Sequence, residues 1–314
     1  MGYGGSRCLM LLTMHGVIAG GARRFPPTPF ESWDISTIAP AGGSPVEQID
    51  IYQIQSVPTD IAVSGDGTKI YIVGTGLGGT PRGGKSVQQL NLSIPYDLTT
   101  ADIGSPPDSI GSPPVYDTFD LTDYVGSTSA ITFSPDGTKM FCGGGKIFRF
   151  DLSTPWDITT AEYPGSPGYV FDNVASTDWV QFSTDGTRMY LNERSNSLVT
   201  YYDLDVAWDV STASLGSPEI TFNTGAEQLF CTDMYLKPDG TAFWVTGNVS
   251  QNITQVEFGT PWDLSTATFG SPVITSDSNV ASIVSIFTMS DDGNHLFVKA
   301  GGTGSHRIEH YTMS

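Results

Sequence analysis

Three short motifs recur along this chain, each five times and always in the same order. The first is an Asp-Gly turn, at Asp66-Gly67, Asp136-Gly137, Asp185-Gly186, Asp239-Gly240 and Asp292-Gly293. The second joins an aromatic residue to an aspartate, at Trp33-Asp34, Tyr96-Asp97, Trp156-Asp157, Trp208-Asp209 and Trp262-Asp263. The third, Gly-Ser-Pro, starts at Gly43, Gly111, Gly165, Gly216 and Gly270, with an extra copy at Gly104. A repeat of roughly 50 residues is the period of propeller blades.

Strand patterns lie between the motifs. In the second unit, Ala130–Phe133 reads as a short strand and Pro135-Asp136-Gly137 as a tight turn, with glycine supplying the positive φ such turns need. Lys139–Cys142, Ile147–Leu152 and Tyr169–Asp172 read as three more strands. No segment holds a helical period. The expected fold is therefore all-β, a five-bladed propeller of four-stranded antiparallel blades spanning residues 31–314.

The two ends of the repeat fit each other. The last unit reaches its third strand at Arg307–Ser314, before a Trp-Asp motif appears. The first Trp-Asp motif, Trp33-Asp34, precedes any turn motif and is followed by the strand-like Gln48–Tyr52. The expectation is a mixed blade, with an N-terminal strand completing the C-terminal unit. Closure of this kind protects sheet edges.

The run Ser134-Pro135-Asp136-Gly137-Thr138-Lys139-Met140-Phe141, followed by Phe150-Asp151-Leu152-Ser153-Thr154-Pro155-Trp156-Asp157, resembles the blade repeats of bacterial and bacteriophage β-propeller proteins. Its first half is similar to the motif of TolB-type and YVTN-type propellers. The resemblance covers residues 31–314. It implies the fold, and a range of uses: adhesin, scaffold, lectin and, in some members, enzyme.

Composition narrows the partners. Asp and Glu number 33 against 14 Lys and Arg, a net charge of −19, which repels a phosphate backbone and argues against nucleic acid as a partner. The odd set Cys8, Cys142 and Cys231 forms neither a disulfide framework nor a zinc signature.

Residues 1–30 differ from the rest. Arg7 precedes the apolar stretch Cys8–Met14 and Val17–Ala19, and Gly20-Gly21-Ala22 follows. This has the order of a secretory signal. His15 and Gly16 interrupt it, and it is too short to span a bilayer. An apolar tail left loose is usually disordered, so residues 1–30 are expected to be held by another subunit, as an anchor into an assembly. Cleavage near Ala22 is the alternative.

In a blade, the first-to-second and third-to-fourth connections share one face of the ring. The Asp-Gly and Trp-Asp turns belong there, with Trp33, Tyr96, Trp156, Trp208 and Trp262 as packing residues. The opposite face carries the second-to-third connections, 74–86, 143–146, 192–197, 246–252 and 300–306, unlike in length and rich in Gly, Asn, Ser and Thr. Variable loops on a rigid scaffold are where recognition usually sits. The candidate ligand-binding residues are Arg82, Lys85, Lys146, Asn192, Arg194, Asn196, Asn248, Asn252 and His306. Asp60, Asp178 and Asp233 precede innermost strands and would ring a channel mouth, where a hard cation such as Ca²⁺ is the candidate ligand. Asp178 is one residue out of register with the other two.

Catalytic signatures are missing. There is no Gly-x-Ser-x-Gly elbow and no His-Glu-x-x-His. His306 and His310 fall short of a metal-ligand set. The leading expectation is a non-enzymatic virion component of a bacteriophage, a tail or capsid-attached protein whose propeller binds a host-surface glycan or a neighbouring subunit. The alternatives are a secreted bacterial carbohydrate-binding propeller and a glycoside hydrolase built on a carboxylate pair.

Overall fold

The structure is a computed structural model. It describes residues 33, 45–52, 54–76, 85–103, 116–165, 170–172, 177–215, 220–225, 228, 230–247, 252–274, 286–301 and 306–313. Residues 1–30, Arg82 and Asn248 lie outside the described residues.

The Asp-Gly turn organises each blade. In the first, the Asp66 carboxylate accepts from the Ser64 hydroxyl at 2.7 Å and from the amide and hydroxyl of Thr68 at 3.0 and 2.7 Å. Gly67 carries a φ of 71°. The same set recurs around Asp136 and Asp185. The turn then receives an aromatic ring from the same blade. A Cβ placed on Gly137 would lie 2.3 Å from Trp156, and one on Gly186 or Gly240 would lie 2.1 Å from Trp208 or Trp262. Glycine is thus required twice over, for its backbone and for the ring seated on it.

The aromatic residue is strained in turn. Tyr96, Trp156, Trp208 and Trp262 have φ between 63° and 65°, a left-handed conformation that costs a bulky residue on the order of 1 kcal/mol or more. Each amide donates to the carbonyl of its turn glycine, at 2.8 to 2.9 Å, which offsets part of that cost. The following aspartate caps a short 3-10 turn. Asp157, for example, accepts from the Thr159 amide at 3.0 Å and hydroxyl at 2.6 Å.

The strands fall into five antiparallel sheets. The outer strand of the last blade comes first in sequence, β1 (Glu47–Asp50). Blade 1 is β2 (Pro58–Val63), β3 (Lys69–Thr75), β4 (Lys85–Asn91) and β5 (Asp117–Asp120). Blade 2 is β6 (Ala130–Phe133), β7 (Lys139–Gly143) and β8 (Ile147–Leu152), with an outer edge divided into β9 (Ala161–Glu162) and β10 (Val170–Phe171). Blade 3 is β11 (Val180–Phe182), β12 (Arg188–Glu193) and β13 (Leu198–Leu204), edged by β14 (Ala213–Leu215) and β15 (Thr221–Asn223). Blade 4 is β16 (Cys231–Leu236), β17 (Ala242–Gly247), β18 (Ile253–Phe258) and β19 (Ala267–Ile274). Blade 5 is β20 (Phe287–Met289), β21 (His295–Ala300) and β22 (Arg307–Thr312), completed by β1.

The expected five-bladed ring is therefore present, and so is the mixed blade. Strand β1 pairs antiparallel with β22, Glu47 opposite His310 and Asp50 opposite Arg307. Trp33 donates to the Gly293 carbonyl at 3.0 Å, so the first Trp-Asp motif caps the last Asp-Gly turn. The innermost strands close the circle. Strand β2 lies against β6 and β20, and β11 and β16 complete the ring between those two. The divided edges of blades 2 and 3 differ from expectation, since the residue pattern predicts one outer strand at 169–172 in blade 2.

The core fills the gaps between blades. Tyr71, Met140 and Phe150 share one cluster across blades 1 and 2, and Tyr190, Phe243 and Val256 share another across blades 3 and 4. The carbonyls of three Trp turns also accept from the preceding blade. Tyr71 Oη reaches the Trp156 carbonyl at 2.5 Å, Arg149 Nη1 that of Trp208 at 3.3 Å, and Tyr190 Oη that of Trp262 at 2.6 Å. Trp33 stacks on Trp244 at 5.6 Å, and Tyr96 on His295 at 4.2 Å.

Candidate functional site

The turn face is thus occupied by contacts that repeat from blade to blade. The five aromatic residues of the Trp-Asp motif are packing residues, as expected from their recurrence, and each ring rests on a turn glycine. The loop face differs from blade to blade, and the channel opens there into a cavity of about 300 Å³ with wall residues from all five blades. A second cavity of about 120 Å³ runs along the inner strands to the turn face, lined in part by Asp60, Asp233, Pro135, Thr184, Trp156 and Trp208.

Asp60 and Asp233 are buried on this axis. Asp60 accepts from its own neighbour Ile61 N at 2.7 Å and from Ile131 N of blade 2 at 2.8 Å. Asp233 does the same with Met234 N at 2.8 Å and Phe287 N of blade 5 at 2.6 Å. Each carboxyl therefore staples one inner strand to the next, across the blade 1–2 and blade 4–5 seams. Burial pushes both acids well above the usual carboxylate range, against the pull of the two amides each accepts from. The negative charge of Asp60 adds to the rise at Asp233, and that of Asp178 adds at both.

Asp178, displaced by one residue, reaches the mouth instead. Its carboxylate meets Arg194 Nη1 at 2.9 Å, with side chains 20% and 42% exposed. The three acids therefore do not form one ring, because a one-residue offset on an extended chain turns the side chain to another direction. Among the described residues, no group of three or more His, Cys, Asp or Glu side chains is placed to hold a metal ion.

The candidate loop residues divide into two groups. Asn192 is fully buried and belongs to the scaffold, which corrects its assignment to the recognition surface. Its Oδ1 accepts from the amides of Asp178 and Trp179, both at 2.9 Å, and its Nδ2 donates to the Cys231 carbonyl at 2.9 Å. It satisfies backbone groups that would otherwise be buried without partners. Asn252 is half-buried, and its carbonyl accepts from Gln228 Nε2 at 3.2 Å. His306 is half-buried against Tyr52, and burial lowers its basicity.

The remaining described members are accessible. Lys146 pairs with Asp172 at 2.5 Å with both side chains at least half exposed, an ion pair of small energetic weight. Asn196 is exposed and donates to Glu193 at 3.0 Å. Lys85 lies at the start of β4 and donates to the Val125 carbonyl at 3.2 Å. No sequence motif marks Phe230, which is 47% exposed with a φ of 55°. Its amide donates to Ser197 Oγ at 3.0 Å, which ties it to the Arg194–Ser197 turn. A large apolar residue held left-handed and exposed on a loop face carries no signal in sequence alone.

No protein-family description matches the chain. No curated protein matches it either. Solved structures similar to it include a functionally unknown protein from Desulfotomaculum acetoxidans, at 12% identity and a TM-score of 0.41 over 77% of this chain. The chain spans 62% of the length of that protein. A Bacteroides fragilis protein described as a candidate 6-phosphogluconolactonase is 14% identical over 80% of this chain and 79% of its own, with a TM-score of 0.46. The β-propeller domain of Myceliophteria thermophila Cps50 (Swd1) is 13% identical over 88% of this chain and all of its own, with a TM-score of 0.41. None of these likenesses carries an activity over to this chain, and the strand pairing itself identifies it as a five-bladed β-propeller repeat protein.

Proposed function

We propose that this chain is a non-enzymatic binding propeller of a bacteriophage virion, in a tail or capsid-attached position, which uses its loop face to engage a host-surface glycan or a neighbouring subunit. Residues 1–30 fasten it to the assembly. The observation that carries this reading is the inequality of the two faces. On one face, contacts that recur from blade to blade surround a cavity of about 120 Å³, and on the other a cavity of about 300 Å³ is walled by residues that differ between the five blades, with Arg194 and Lys146 accessible.

Full-length protein and a form starting at Pro26 test the reading together, by size-exclusion chromatography with light scattering and co-sedimentation with purified virions. The expected result is that the shorter form is a folded monomer that no longer joins particles, while both forms bind the same glycans on an array. Two identical monomers that ignore particles and glycans contradict it. So does hydrolysis of a bound glycan by the intact protein.

A further inference from the structure

The mouth of the channel has a chemistry of its own. Hydroxyl side chains enter its wall from three blades, as Thr59 and Thr75, Ser129, and Thr232. The Asp178–Arg194 pair enters from blade 3, and Ile286 supplies the blade 5 part. We propose that this mouth is a binding site for a small, neutral, polyhydroxylated ligand, a sugar ring of monosaccharide size. The proposal rests on the reading of the loop face as the recognition surface and names the ligand class for it.

Size sets the first limit. Pockets that enclose small ligands begin at roughly 300 Å³, and this one measures about 300 Å³. That admits one sugar ring and not a chain of them. Chain ends, rather than chain interiors, are therefore the epitope.

Hydrogen-bonding capacity sets the second. A sugar hydroxyl donates and accepts at once, and it needs a wall that does both. Thr59 Oγ1 lies 2.9 and 3.2 Å from the carbonyls of Thr128 and Val73, spends its single proton there, and keeps lone pairs to accept. Arg194 uses Nη1 on Asp178 and presents a fork of further donors. The Asp178 carboxylate holds acceptor positions beyond the one that Arg194 fills.

Charge sets the third. Asp178 and Arg194 cancel, and Asp60 and Asp233 lie deeper on the same axis. An anionic ligand meets no net positive charge there, on a chain of net charge −19. An apolar ligand would strip water from the hydroxyls and give nothing back.

Saturation-transfer NMR on the full-length protein is the test, with neutral hexoses and N-acetylhexosamines as probes. Sialic acid serves as the anionic probe and Ca²⁺ alone as a separate arm. Arg194→Lys keeps the charge and loses the fork, and Asp178→Asn keeps the shape and loses the charge. Glu162→Gln, an exposed residue on the outer edge of blade 2, is the control away from the mouth. At least one neutral sugar should bind, and each mouth variant should weaken it about tenfold or more while Glu162→Gln leaves it unchanged. Melting temperatures confirm that the variants are folded. Neutral sugars that bind folded mouth variants as tightly as the parent overturn the pocket and leave the loop-face reading standing. Preference for sialic acid, or a response to Ca²⁺ alone, overturns the proposed ligand class. No binding of any probe by the parent overturns this proposal, and if the protein also ignores arrayed glycans and virions the loop-face reading falls with it.

Discussion

At the residue scale the scaffold turns on one repeated pair, a glycine with an aromatic ring seated on it. Gly137 has a φ of 69°, and a Cβ there would meet the Trp156 ring at 2.3 Å. Gly137→Ala should therefore destabilise the propeller by about 2–4 kcal/mol, from backbone strain and a displaced ring together. Gly126 is exposed, and a methyl group there would have nothing within 4 Å, so Gly126→Ala should change stability by less than about 0.5 kcal/mol. Paired thermal melts check both. Equal melting temperatures would show that the ring contact does not hold the turn. The Asp-Gly motif was legible in the sequence because its spacing repeats. That the Trp156 ring comes to rest on Gly137 was not, since the two are distant in the chain and meet only when β7 and β8 pair.

Polar residues posed the opposite difficulty. Asn192 sits in a loop-like run of the sequence, yet it is buried and satisfies three backbone groups between blades 3 and 4. Asp60, Asp178 and Asp233 look alike in sequence, and a single residue of offset sends Asp178 to the mouth while the other two become staples.

At the scale of elements the seam between β1 and β22 is the most distinctive. Glu47, on β1, accepts from the Leu98 amide of blade 1 at 2.6 Å and lies 3.5 Å from His310 Nδ1. His310 Nε2 lies 2.8 Å from His295 Nδ1, and the His295 ring stacks on Tyr96. The chain Glu47–His310–His295 thus crosses the place where the ring closes. Burial lowers the His310 pKa to about 4, helped by the neighbouring His295, while the negative charge of Asp97 pulls the other way. Burial also lowers His295, against the charge of Asp292. Burial and the Asp97 charge raise Glu47, against the Leu98 amide.

A histidine whose basicity is depressed in the folded state favours folding when it is neutral. Its contribution is complete above the unfolded value near 6.5 and is lost as pH falls toward 4. Stability of the parent should therefore decline between those limits, by up to about 3 kcal/mol. His310→Gln should flatten that decline, as read from denaturant titrations at stepped pH. Parallel curves for parent and variant would show that His310 is not its source. The mixed blade itself was legible, because the two ends of the repeat complement each other. The divided outer edges of blades 2 and 3 were not, since strands of two or three residues leave no periodic pattern to read.

For the whole molecule, the two faces of the ring are built differently. Asp-Gly turns and Trp turns make a scaffold whose contacts recur, and the sequence shows them as repeats. The proposed recognition surface is made where the blades differ, so no repeat announces it, and the cavity at the mouth takes wall residues from all five blades. Site-directed PEG labelling asks directly whether binding belongs to the loop face, in a Cys8→Ser background where Cys142 and Cys231 are buried. One cysteine replaces Asn196 on the loop face, and another replaces Thr99 on the turn face, both exposed positions. Binding to virions and to glycans is then measured before and after labelling. A label at position 196 should abolish glycan binding, and a label at position 99 should leave it intact. Loss of glycan binding from the turn-face label alone would place recognition on the wrong side of the ring and refute the loop-face assignment.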